Sequence, residues 1–187
     1  KFAAERFQTT PDRVAFLPFD VEEYFEADGT PRYIASHFVQ GFSHSHFRRG
    51  VEIKTWNGDP IDRAVEISAD LHAGSNADAR HVRGLDGLTI RSLTRAMPPD
   101  AMWVDVGYID LDGTARETRQ EWIVSPALPP NNGVDPNAAS LNASCLGIDI
   151  EADAVQRTKM ILFAPKAVAA QAEPKKATVK KAAKGSE

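Results

Sequence analysis

The chain has 187 residues, 42% of them hydrophobic and 26% charged, which is enough for one packed domain with extensions. Its formal net charge of −4 argues against a nucleic-acid partner, because such proteins usually carry a basic face. Its one cysteine, Cys145, excludes an internal disulfide and a zinc-ribbon pattern.

The chain also shows no membrane or targeting signal. No apolar run approaches the roughly 20 residues that a membrane-spanning helix needs. No signal peptide is recognisable at Lys1, and the sequence begins abruptly. We therefore expect no membrane span, and we interpret the chain as a fragment or a trimmed piece of a longer protein.

After an amino-terminal extension (1–12), residues 13–39 predict two strands joined by a hairpin turn. The turn signal lies at residues 27–30, where Gly29 allows a positive φ, and the second strand runs from Tyr33 to Val39. The next stretch, "VEIKTWNG", alternates like a strand. The alternation places one set of residues on one face of the strand, Val51, Ile53 and Thr55. It places the other set on the opposite face, Glu52, Lys54 and Trp56.

Two helices are predicted next. Residues 60–74 have helical spacing and end at Gly74; their expected buried stripe is Ile61, Ala64, Ile67 and Leu71. Residues 75–99 predict a second helix, with Ser75 or Asn76 as the N-cap and the Pro98-Pro99 pair as the stop. Its expected apolar positions are Val82, Leu85, Leu88 and Ile90. Gly84 and Gly87 weaken the helix, because glycine costs about 1 kcal/mol against alanine.

The rest of the chain predicts a hairpin, a linker, one helix and a tail. The hairpin spans 102–124 with a turn at Asp112-Gly113. Residues 125–146 have a linker composition, 147–165 contain a helix at about 152–162, and the Lys/Ala-rich residues 166–187 predict a tail. The order of the predicted strands and helices indicates an α+β domain over residues 13–124. It is a partly open antiparallel sheet or barrel of about five strands, capped by two helices, with a carboxy-terminal extension.

The best metal-ligand candidates are His44 and His46. On a strand, residues two apart share a face, so the two imidazoles would suit a ligand pair. A third ligand would have to come from His72, His81 or a carboxylate, which the spacing does not fix. The alternative interpretation is a polar loop with two exposed imidazoles.

Other chemical motifs are weak or missing. No serine has a lysine four residues later, and neither a G-x-S-x-G elbow nor a phosphate loop occurs. Cys145 has no basic neighbour to lower its pKa, so an inert thiol is expected. Two charge clusters leave a chemical role open. Glu22, Glu23 and Glu26 could carry out acid/base work, and Arg83, Arg91 and Arg95 could form an anion-binding face. Exposed charges are the commoner explanation for both. The residues themselves therefore predict no self-sufficient active site.

Four blocks carry a family resemblance. They are "AFLPFDVEEYFE", "VEIKTWNGDPIDRAVE", "AGSNADARHVRGLDGLTIRSL" and "LGIDIEADAVQRTKMILFAP", in that order over residues 13–165. Together they resemble the PDZ-like, non-catalytic amino-terminal region of S41-family serine peptidases. This is the tail-specific or C-terminal processing family, and the branch is the one that includes the chlamydial protease-like factor. The family's serine-bearing core and its preceding Asp-x-His-type motif are not matched in this chain, so no catalytic residue and no cofactor is carried over.

The resemblance implies a peptide-binding or regulatory region that gates or presents substrate to a catalytic core. An extended peptide, often a protein C-terminus, would add to the edge strand at residues 15–19 and meet a wall on the first helix. The expected contact residues are Ala15, Phe16, Leu17, Phe19, Ile67 and Leu71. Pro18 has no N–H to donate to such a peptide.

The partners that the resemblance implies are a peptide or protein C-terminus and the carboxy-terminal catalytic chain of the same protease. The location it implies is secreted or periplasmic. Two further hypotheses stay open on the residues alone. One is a metal-dependent hydrolase that uses His44 and His46, and the other is a non-enzymatic interaction module that binds through the Phe/Tyr edge strand.

Overall fold

The computed structural model describes residues 13–93, 97–124 and 150–163. The predicted extension 1–12, the linker 125–146 with Cys145, and the tail 166–187 lie outside the described residues. The limits proposed for the PDZ-like domain and its flanking segments therefore stay predictions.

The larger sheet has five strands in the order β2-β3-β4-β7-β8, with every neighbouring pair antiparallel. A two-residue strand, β5, pairs with β4 beside that path. The bounds are β2 Phe19–Phe25, β3 Pro31–Phe38, β4 Glu52–Trp56, β5 Asp59–Pro60, β7 Trp103–Ile109 and β8 Ala115–Glu121. Within the described ranges β2 and β8 form the two edges, so the sheet is open and does not close into a barrel. The predicted α+β class is confirmed.

A second, smaller sheet has three strands in the order β6-β1-β9. Its strands are β1 Val14–Phe16, β6 Ile90–Ser92 and β9 Ile123–Val124. The chain leaves β1 at Leu17, whose N–H donates to the carbonyl of Thr89 at 2.8 Å, and enters β2 after Pro18. The predicted continuous strand at residues 15–19 is therefore two strands in two sheets.

Three helices pack on these sheets: α1 Ile61–Asp70, α2 Ala77–Thr89 and α3 Ile150–Phe163. Asn76 caps α2, because its side-chain oxygen accepts from the Ala79 N–H at 2.7 Å. The predicted stop at Pro98-Pro99 is wrong. The helix ends at Thr89 because Ile90 enters β6 and pairs with Phe16.

The two glycines of α2 explain how α1 and α2 pack. A Cβ at Gly84 would lie 2.7 Å from the Ala69 backbone nitrogen, and one at Gly87 would lie 3.0 Å from Ser68 Oγ. The buried side chains of α1 are Ile61, Ala64, Val65 and Ser68. The predicted stripe is therefore wrong at its last two positions, because the Ser68 side of α1 faces α2 and leaves Ile67 and Leu71 exposed.

The Asn57-Gly58 turn between β4 and β5 is confirmed. Both residues have positive φ, 51° and 88°, the conformation that Asn-Gly hairpin turns favour. Asn57 also fastens the turn to β7, because its N–H donates to the Asp105 carbonyl at 2.7 Å and its side-chain oxygen accepts from the Asp105 N–H at 2.9 Å.

Aromatic side chains fill the main core. Phe19 and Phe47 meet edge to face with ring centroids 4.8 Å apart, and Phe47 meets Tyr108 at 5.0 Å. Trp56 is buried like Ile53, although the alternation placed these two residues on opposite faces. The pairing of β4 with β7 shifts register between Ile53 and Thr55, and this shift accounts for the change of face.

Candidate peptide-binding site

The six predicted peptide-contact residues do not form one groove. Ala15, Leu17 and Phe19 belong to the main core, and Phe16 belongs to a second small cluster. Ile67 and Leu71 lie exposed on α1, outside both clusters. Peptide contact by these side chains stays a prediction, but the free edge assumed at β1 is wrong, because β6 pairs with one side of β1 and β9 with the other.

Among the described strands, one of the two free edges of the larger sheet lies at β2, one strand further along the chain. In the part of the chain that the structure describes, β2 pairs only with β3. The Glu26 N–H donates across the hairpin to the Thr30 carbonyl at 3.0 Å. Because N–H groups alternate along a strand, those of Val21, Glu23 and Phe25 point away from β3. Seven residues of β2 thus offer a strand edge to an extended peptide.

A lysine on α3 contacts an acidic side chain near the start of β2. Lys159 Nζ lies 3.0 Å from Asp20 Oδ2 on β2 and 2.6 Å from Asp86 Oδ1 on α2. The other oxygen of Asp20, Oδ1, accepts from the Thr89 hydroxyl at 3.2 Å. Three elements distant in sequence therefore meet at one ammonium. We call Lys159, Asp20 and Asp86 the lysine clasp.

The Lys159 ammonium keeps its charge in this partly buried position. Burial alone would lower the pKa of the Lys159 ammonium, but the attraction of Asp20 and Asp86 and their hydrogen bonds outweigh that effect and raise it above its usual value. Sequence reasoning missed the clasp. The available signal was Asp20 itself, an acid between Phe19 and Val21, because a buried carboxylate requires a partner.

An open cavity of about 620 Å³ lies beside the clasp, between the β2–β3 pair and α3. Glu22 and His37 border it from the strands, and Met160 and Phe163 border it from the helix. The Glu22 carboxylate lies 3.5 Å from His37 Nδ1, and that nitrogen lies 3.1 Å from Ser36 Oγ. The cavity combines an apolar wall with exposed polar groups, as ligand sites commonly do.

Glu23 belongs to a different cluster from Glu22. Its carboxylate lies 3.0 Å from His81 Nε2 on α2. Burial, and then the hydrogen bond to Glu23, raise the pKa of Tyr33 far above its usual range. Glu26 instead contacts Arg32 at 3.1 Å. Each of the three carboxylates proposed for acid/base work thus has its own basic partner, and they do not converge on one point.

The two histidines proposed as metal ligands are used within a loop. His44 Nδ1 accepts from the Phe47 N–H at 2.8 Å and from the His46 N–H at 3.2 Å. His46 Nδ1 lies 3.1 Å from Asp110 Oδ2. Among the described residues, no group of three or more His, Cys, Asp or Glu side chains could hold a metal ion. The prediction that the two histidines form a ligand pair on a strand is therefore wrong. They lie in a turn, where a ring nitrogen of His44 accepts backbone hydrogen bonds.

The two described arginines of the proposed anion face, Arg83 and Arg91, each bond to a backbone carbonyl. Arg83 donates to the Ala73 carbonyl, and Arg91 donates to the Gly87 carbonyl at 2.9 Å and lies over the Trp122 ring. Arg95 lies outside the described residues. None of the described helices is long and apolar enough to cross a membrane.

The comparisons find structural likeness without sequence relatives. No family model matches the chain, and no curated protein matches it. The solved structure of mature CPAF, the chlamydial protease-like activity factor of the S41 family, matches with a TM-score of 0.48 and 22% identity over 70% of this chain. CPAF complexed with lactacystin matches with a TM-score of 0.44 and 23% identity, also over 70%. In both comparisons this chain spans 23% of the CPAF chain. The chain resembles a region of that protease.

Proposed function

We propose that this chain is the peptide-docking, regulatory region of an S41-type serine protease whose catalytic core lies outside it. Four sequence blocks, in the family's order, support the assignment to that kind of protease. The observation that carries the docking role is the edge of β2 that pairs with no strand of the described residues and lies beside an open cavity.

Strand addition is the binding mode that this geometry supports. A peptide aligned antiparallel to β2 would accept hydrogen bonds from the outward N–H groups of Val21, Glu23 and Phe25 and donate to their carbonyls. Such hydrogen bonds contact the peptide backbone, which is the same in every sequence. They therefore contribute affinity, while neighbouring pockets for the peptide side chains provide selectivity. Docking would either present the bound segment to a catalytic core as substrate or prevent it from reaching that core.

A binding assay with modified peptides tests this role. A pool of short fluorescein-labelled peptides with free carboxyl ends is titrated with the chain and followed by fluorescence anisotropy. We expect binding that is lost when alternate backbone nitrogens of the peptides are methylated, because methylation removes the donors that strand addition uses. Equal binding of methylated and unmethylated pools would contradict docking at the β2 edge.

The same pool with amidated carboxyl ends separates two roles. If the region captures protein C-termini, amidation weakens binding. If it acts as an interaction module for internal segments, amidation leaves binding unchanged. The chain alone is expected not to cleave casein, and cleavage by the chain alone would contradict the placement of the catalytic core elsewhere.

A further inference from the structure

We propose that the cavity beside β2 selects a basic side chain, lysine or arginine, in the docked peptide, and that Glu22 is the residue that recognises it. This inference rests on the proposed docking function and names the substrate class of the same site. Its basis is the distribution of charge around the cavity.

Glu22 is the available acid of the cavity. The two oxygens of Asp20 are already bonded to Thr89 and Lys159, and its side chain is only 6% exposed. The Glu22 side chain is 53% exposed, and its contact with His37 Nδ1 is 3.5 Å long. That nitrogen also has Ser36 Oγ at 3.1 Å as a nearer partner. Lys159 also lines the cavity, but Asp20 and Asp86 lie within 3.0 Å of its ammonium. Glu22 is therefore the exposed acid that a cation in the cavity can contact.

The position of Glu22 on an edge strand puts it opposite a peptide side chain. Its N–H points toward β3, and its register partner there is Ile34. A peptide on the other side of β2 would place a side chain about 5 Å from Glu22 on the same face. Opposite charges in such a cross-strand pair are favourable, and like charges are unfavourable.

The helix side of the cavity suits the stem of a basic residue. Met160 is 64% exposed, and the Phe163 ring centroid lies 6.3 Å from that of His37. Lysine and arginine bury their methylene stems along such apolar surfaces while the charged head stays in water. An acidic side chain has a shorter apolar stem and would face the like charge of the exposed Glu22 carboxylate.

The main comparison uses two labelled peptides that differ only in the side chain of the central residue. Both are short threonine-valine repeats, with either lysine or norleucine at the centre, and dissociation constants are measured by anisotropy at low and high salt. We expect the lysine peptide to bind about two- to fivefold tighter at low salt, with the difference shrinking at high salt. The variant Glu22→Gln should lose the difference, and Glu22→Lys should favour a peptide with central glutamate.

The matched control is Glu66→Gln, which alters an exposed carboxylate paired with Arg63 on α1 and should keep the preference. Two outcomes overturn the inference. If the wild-type chain binds both peptides equally, basic selection is wrong while docking at β2 stands. If it binds neither peptide, both this inference and the docking function are wrong.

Discussion

Lys159 of α3 holds Asp20 of β2 at 3.0 Å, across 139 positions of sequence. The same ammonium reaches Asp86 of α2 at 2.6 Å. This contact, together with the packing of Val155 against Phe16 and Ile90, attaches the carboxy-terminal helix to the body of the domain. The cavity exists because α3 is held there.

Replacing the ammonium tests how much the clasp stabilises the fold. Lys159→Met keeps the length and the apolar stem but leaves Asp20 and Asp86 without their cation. We expect a loss of about 2–4 kcal/mol in the free energy of unfolding, measured by urea titration, because removing one partner strands buried charge. Lys54→Met, at a surface pair with Glu52, should cost less than about 1 kcal/mol. Equal losses of unfolding free energy in the two variants would show that the lysine clasp stabilises the fold no more than a surface ion pair does.

Alkaline pH should weaken the clasp. The pKa of Lys159 is raised in the folded chain, so its contribution is fully present below the unfolded value of 10.5 and is lost as pH rises through the folded value. Tyr33 and Tyr108, whose pKa values burial raises, also lower stability at high pH. Wild type and Lys159→Met share both tyrosines. Their difference in unfolding free energy should therefore be constant around neutral pH and narrow as the pH rises into the alkaline range.

The close approach of α1 and α2 predicts that Gly84→Ala destabilises the fold. The new methyl group would meet the Ala69 backbone 2.7 Å away, and backbone cannot swing aside as a side chain can. We expect a net loss of about 1–3 kcal/mol from overpacking, although alanine favours the helix. Val82→Ala, at an exposed position of the same helix, should leave the unfolding midpoint almost unchanged. A Gly84→Ala variant as stable as wild type would contradict this packing.

Two variants of Asn57 separate the contribution of its positive φ from that of its side-chain hydrogen bond. Asn57→Gly keeps the positive φ but loses the side-chain bond to Asp105 and should cost about 1 kcal/mol. Asn57→Ala loses the bond and also meets the steric cost of a positive φ, so it should cost about 2–3 kcal/mol. Thermal unfolding of the pair measures the difference. If alanine is no worse than glycine, the turn does not require this conformation.

Local signals in the sequence predicted the turns and most elements. The Asn57-Gly58 turn, the Asn76 cap and the alternation at Val51 and Ile53 each depend on neighbours within a few residues, and all are confirmed. The predicted helix near 152–162 is also confirmed as part of α3.

The candidate site depended on contacts that local patterns do not contain. Whether β1 or β2 is an edge is decided by β6 and β9, which the sequence order did not reveal. Ile67 was assigned to a buried stripe, but α2 packs on the Ser68 side of α1, so the buried face is rotated. The lysine clasp joins three distant elements and could be anticipated only from the burial of Asp20.

Peptide docking at the β2 edge can be mapped by the amide chemical shifts of the isotope-labelled chain during titration with the lysine-centred peptide. We predict the largest shift changes at the outward amides of β2, those of Val21, Glu23 and Phe25, with smaller changes along the facing side of α3. Changes centred on Ile67 and Leu71 of α1, or no changes at all, would contradict peptide docking at the β2 edge.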